Sequence, residues 1–119
     1  MHSMYVYASK FELDNDVDSY NDKLKEIYYL QNDDVYIILR LLDIWYKDLN
    51  IEGGKLITLN HFLKAKISFN DNGKIIQEYV EKDDVIYRTE HIQGFFDYVE
   101  NYIHKNQIKC LYIETDYFR

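Results

Sequence analysis

Asp14-x-Asp16-x-Asp18 has the opening spacing of a calcium loop, in which carboxylate oxygens at alternate positions hold a hard cation. The rest of that loop is missing. Counted from Asp14, the sixth position needs Gly for the sharp turn and the twelfth a bidentate Glu. Ser19 and Lys25 stand there instead. Shifting the frame to make Glu26 twelfth turns the first ligands into Asn15, Val17 and Ser19, which is a poorer set. No metal site is expected.

Other candidate chemistry fares no better. His2, His61, His91 and His104 are far apart, and no pair is spaced i,i+4. There is no HExxH and no second cysteine to complete a zinc site. The stretch EGGKL lacks the spacing of a phosphate loop, and neither GxGxxG nor GxSxG occurs. Cys110 falls on the same side of a strand as Ile108 and Tyr112, so it reads as a small buried apolar residue rather than a nucleophile. Glu114 and Asp116 could form a carboxylate pair near the C-terminus. No cofactor and no catalytic activity are expected.

The acids themselves are the strongest feature. Eight lie between Glu12 and Asp34, opposed only by Lys23 and Lys25, in a chain whose net charge is -7. On a helix, Asp18, Asp22, Glu26 and Tyr29 fall within about 80° of one another. They lie opposite Tyr20, Leu24, Ile27 and Tyr28, and Asp33 and Asp34 flank them. Acids in a first turn complement the helix dipole, which explains Asp14, Asp16 and Asp18 but not Asp22 and Glu26. Like charges at i,i+4 cost a helix about 0.2–0.5 kcal/mol per pair. Carboxylates beside tyrosine suit docking on a basic surface, because charge steers association while tyrosine supplies rigid contact area.

These residues need elements to position them. Met4, Val6 and Ala8 alternate with Tyr5, Tyr7 and Ser9, which predicts a first strand. The spacing of Val17, Tyr20, Leu24, Ile27, Tyr28 and Gln31 predicts a helix over 16–31. Arg40, Asp43 and Lys47 would form one polar stripe on a central helix over 35–49, with Leu42 and Trp45 buried. KLITL predicts a short strand, and 62–81 a β-hairpin turning at NDNGK. DVIYR suggests another strand. Ile92, Phe95, Phe96, Val99 and Ile103 predict a helix over 90–105, and QIKCLYIE a last strand. The expectation is a single α+β domain over 1–119, in the order β-α-α-β-β-β-β-α-β, with a mainly antiparallel sheet and about three helices packed on it.

Composition bounds the rest. Hydrophobic residues are 47% and charged residues 29% of 119, which suits one globular domain with a real core. The acid excess argues against direct nucleic-acid binding, which relies on Lys and Arg at phosphates. The lone cysteine and the lack of a signal-peptide pattern point to the cytoplasm, and no stretch is long and apolar enough to span a membrane. Thirteen Tyr, 14 Ile and 9 Asn, with two Ala and no Pro, are what a low-GC genome would encode.

The expected function is therefore a non-enzymatic acidic binding protein. An immunity or antitoxin-like inhibitor of a basic toxin, such as a nuclease, fits best, with Asp18, Asp22, Glu26, Tyr29, Asp33 and Asp34 as the partner-binding face. Two alternatives are a phage- or virus-encoded inhibitor of host defence that mimics nucleic-acid charge, and a small ligand-binding or catalytic domain with a tyrosine-lined pocket. A tyrosine-rich sheet is the next candidate interface.

Overall fold

The computed structural model describes residues 2–13, 22–31, 33–44, 54–71, 76–77 and 80–117. Strands β1 (His2–Ser9) and β2 (Lys25–Leu30) lead to helix α1 (Asp34–Leu41). Strand β3 (Gly54–Thr58) then runs into α2 (Leu59–Asp71), and a 3-10 turn at Lys82–Asp84 opens α3 (Val85–Asn106) before β4 (Cys110–Tyr117). The four strands form one antiparallel sheet in the order β2-β1-β4-β3. This is an α+β architecture, as the sequence leads one to expect.

The central pair of strands is built on strict alternation. Met4, Val6 and Ala8 of β1 and Leu111 and Ile113 of β4 point to one side and are buried. All three helices lie on that side. Phe62 and Phe69 of α2 meet Phe96 of α3, and Phe95 of α3 meets Tyr28 of β2. Val35, Ile37 and Ile38 of α1 complete a core shared by every helix and strand. No described helix is long and apolar enough to cross a membrane.

Four expected elements differ from those observed. Residues 25–30, expected within a helix, form β2. A bulge explains the false helical spacing: Val6 faces Tyr28 while Tyr7 faces Glu26, which leaves Ile27 as an inserted residue. The insertion breaks the period of two, so Leu24, Ile27 and Tyr28 mimic one side of a helix. Residues 14–21, including Asp14, Asp16 and Asp18, lie outside the described residues.

The expected hairpin over 62–81 is instead occupied by α2 up to Asp71, and Ile76 and Gln77 belong to no strand. Its buried residues are Phe62, Ala65 and Phe69, a helical i, i+3, i+7 stripe. Ile67, which alternation placed inside, is 59% exposed. The Thr58 side-chain oxygen accepts the His61 amide at 3.1 Å, a bond that caps the helix start.

DVIYR is the start of α3 and not a strand. Asp83 and Asp84 stand at the entry, where acids suit the positive end of the dipole. Ile86 and Tyr87 face outward.

Helix α1 is real but shorter than 35–49. It ends at Leu41 because Asp43 adopts a left-handed conformation, with φ 53. The Ile44 amide then donates to Leu39 O and the Asp43 amide to Arg40 O, which is a Schellman termination with Asp in the place usually taken by Gly. Leu42 is fully buried. Trp45 and Lys47 lie outside the described residues.

Candidate functional site: the sheet face opposite the helices

Alternation that buries Met4, Val6 and Ala8 turns Tyr5 and Tyr7 to the other side of the sheet. Register aligns their neighbours. Across β1 from Tyr5 stand Tyr29 of β2 and Glu114 of β4. Across from Tyr7 stand Glu26 and Tyr112, and across from Ser3 stands Asp116. Gly54 of β3 lies next to Glu114. No described helix packs on this face.

The tyrosines form a continuous series of ring contacts. Tyr29 meets Tyr5 at 5.0 Å between centroids, Tyr5 meets Tyr7 at 6.4 Å, and Tyr7 meets Tyr112 at 6.1 Å. Tyr29 is 45% exposed, and its hydroxyl donates to Gln31 Oε1 at 3.0 Å. Ser3 Oγ lies 3.3 Å from the same hydroxyl. Tyr5 and Tyr7 are half-buried, whereas Tyr112 is buried. Gly54 is what admits Tyr112: a Cβ there would sit 2.8 Å from the Tyr112 ring and 2.3 Å from Ile113 O.

Three carboxylates share the face: Glu26, exposed, and Glu114 and Asp116, half-buried. Burial raises the Glu114 carboxyl above its ordinary value, and the Asp116 charge adds to the rise. Burial pushes the Tyr7 phenol up to about 12, with help from the charges of Glu114 and Glu26. Tyr5 is raised too, by burial first and then by Asp116, Tyr29, Glu26 and Glu114, so these acids converge on one ring. No Lys or Arg occupies a described position on this face.

Acids on the helical side are treated differently. Asp34, at the start of α1, is 1% exposed and takes Arg88 Nη1 at 3.2 Å, with His91 Nδ1 3.8 Å away. Glu100 and Asp97 of α3 share Lys66 of α2 at 2.9 and 3.3 Å. None of the ion pairs between described residues involves Glu26, Glu114 or Asp116.

The six residues expected to form one acidic stripe are therefore dispersed. Glu26 and Tyr29 share one face, on a strand rather than a helix. Asp22 is exposed in the turn before β2, and Asp33 is the exposed residue that precedes α1. Asp34 turns inward to Arg88, and Asp18 lies outside the described residues. The sequence reading missed Tyr5, Tyr7, Glu114 and Asp116 as members of one site. Their signal was the alternation in the first and last strands, which puts Tyr and acid together once those strands pair.

Cys110 borders this face, buried, with its thiol 3.4 Å from Phe11 O. Burial raises the thiol's pKa, which makes it a weaker nucleophile. A separate cleft of about 540 Å3 opens between α1 and α2, lined by Asp43, Asn60, His61 and Lys64 among others, but by no tyrosine among the described residues. His61 spends its Nε2 proton on the carbonyl of Leu42 at the end of α1. No group of metal-ligating side chains is found among the described residues.

The fold and face together define a two-layer α+β domain with one side of its sheet left acidic and aromatic. Comparison with known proteins adds no relative: no family model, no curated protein and no solved structure matches the chain.

Proposed function

We propose that this chain is a non-enzymatic binding protein that docks on a basic protein and blocks it, in the manner of an immunity protein or antitoxin facing a toxic nuclease. The observation that carries this reading is the sheet face where Glu26, Glu114 and Asp116 stand around a series of touching tyrosines, with no described Lys or Arg paired to them. On the helical side, Asp34 has Arg88, and Asp97 and Glu100 share Lys66. A basic partner would supply the missing charge, and the tyrosines the contact area. Glu26 and Tyr29 keep the role expected of them, while Tyr5, Tyr7, Glu114 and Asp116 join them. The tyrosine pocket of the ligand-binding alternative has no counterpart in the cleft between α1 and α2, whose described lining contains no tyrosine.

The test is capture of a partner from the native host with the intact chain, followed by assay of that partner. The expected result is a basic protein whose nucleic-acid cleavage stops at one equivalent of this chain. An acidic partner, or a basic one whose activity is unaffected, would overturn the reading.

A further inference from the structure

We infer that the sheet face selects arginine side chains of its partner over lysine, seating a guanidinium against the Tyr29–Tyr5–Tyr7 series with Glu26 and Glu114 on either side. The inference rests on the docking reading above and specifies its chemistry. Three observations carry it.

First, the aromatic surface is extended and nearly continuous. Tyr5 and Tyr7 lie at an interplanar angle of 25°, so successive rings along β1 present similar faces. A planar guanidinium stacks on such a face, whereas an ammonium contributes only a point charge.

Second, the carboxylates stand to the sides of these rings. Glu114 is the β4 neighbour of Tyr5, and Glu26 is the β2 neighbour of Tyr7. A cation over β1 would meet acid from both flanking strands. Arginine has five N–H donors in a fixed fork, which allows contact with two carboxylates while its plane stays on a ring.

Third, the site is half-buried on its β4 side, where Glu114 and Asp116 lie. A lysine ammonium is strongly hydrated and loses more than a guanidinium on entering such a place. Selection of arginine thus follows from ring area, flanking acids and partial burial together, and charge alone would not produce it.

Two capped peptides of equal length serve as probes, one carrying three arginines and the other three lysines. Binding is followed by tyrosine fluorescence and by NMR of the tyrosine rings at matched ionic strength. The arginine peptide is expected to bind at least about tenfold more tightly, a ratio equivalent to about 1.4 kcal/mol. Its shifts should centre on Tyr5, Tyr7 and Tyr29. Glu114→Gln, which keeps the side-chain shape, and Tyr5→Leu should each reduce the arginine peptide towards the lysine level. Thermal unfolding of both variants verifies that they remain folded.

Equal binding of the two peptides would overturn the inference and leave the docking reading standing, because the face would then read charge alone. A preference for arginine that survives both variants would overturn the location. Absence of binding by either peptide would overturn the inference as well, whereas the docking reading is decided separately by the captured partner.

Discussion

The two sides of one sheet follow opposite rules. On the helical side, β1 contributes Met4, Val6 and Ala8, all nearly inaccessible, and Asp34, Asp97 and Glu100 are matched by Arg88 or Lys66. On the other side the same strand contributes Tyr5 and Tyr7, and the acids nearby have no such match among the described residues. Stability is concentrated on the first side and unmet electrostatic demand on the second. A protein selected for folding alone would gain nothing from holding Glu114 beside Asp116 with no described Lys or Arg paired to either, since the Asp116 charge adds to the cost of ionising the partly buried Glu114.

Substitutions on the two sides should differ accordingly. The largest loss belongs to the core. Phe96→Ala should cost about 3–5 kcal/mol and Leu42→Ala about 2–5 kcal/mol, since both side chains are fully buried and would leave cavities. Urea denaturation measures both. If Tyr29→Ala on the far side cost as much as Phe96→Ala, the two sides would not be the different surfaces described.

Next in size are changes that test how each side treats its charge and space. Asp34→Ala removes the acid that holds Arg88 and should cost about 1.5–3 kcal/mol, the range for a hydrogen bond to a charged group. Asp33→Ala, one residue earlier and exposed, should stay within about 0.5 kcal/mol. Gly54→Ala puts a methyl against the Tyr112 ring and Ile113 O, and should cost about 1–3 kcal/mol through overpacking. Its second sign is a shift of the Tyr112 ring resonances, which a simple loss of strand stability would not give.

The pH dependence sharpens the contrast further. The Glu114 carboxyl is raised in the folded state, so the folded protein holds a proton that the unfolded chain gives up near the ordinary value of 4.5. Its contribution is fully present below that pH and is lost as pH rises through the raised folded value. Glu114→Gln should therefore be more stable than the parent at neutral pH and lose that advantage in acid. The Tyr7 phenol follows the same sign at the alkaline end. Stability should fall between the ordinary value of 10.0 and about 12, and Tyr7→Phe should flatten that fall. Thermal melts across pH read both effects. A small gain is expected at one position: Asp43→Gly should add a few tenths to about 1 kcal/mol, because relief of the left-handed turn after α1 outweighs the greater freedom of glycine in the unfolded chain.

Which parts of this arrangement could be read from the sequence depends on how cleanly each period is written. β1 and β4 alternate without interruption, and both were legible, as was the apolar stripe of α3. β2 was not, because one inserted residue at Ile27 converts alternation into an apparent helical spacing. The start of α2 misled for the reverse reason: Leu63, Ala65, Ile67 and Phe69 alternate, yet the residues that bury are Phe62, Ala65 and Phe69. Both periods fit that stretch, and the capping Thr58 was the residue that could have decided between them. For the site, Glu26 and Tyr29 were legible as a pair but on the wrong element. Tyr5 and Glu114 could not be joined from the sequence, since their meeting depends on β1 pairing with a strand more than a hundred residues away.

The central claim is that the partner docks on the sheet face and not on acids elsewhere. The most direct measurement compares two double charge reversals against the captured partner by surface plasmon resonance. Glu26→Lys with Glu114→Lys changes the face, and Asp22→Lys with Asp33→Lys changes exposed acids outside it. The first pair is expected to weaken binding by about a hundredfold or more, because desolvated carboxylates would become like charges against a basic surface. The second should change it by no more than about fivefold, mostly through a slower, salt-sensitive association. The reverse order, with Asp22 and Asp33 decisive and the face indifferent, would contradict the claim and return the interface to the acidic N-terminal segment.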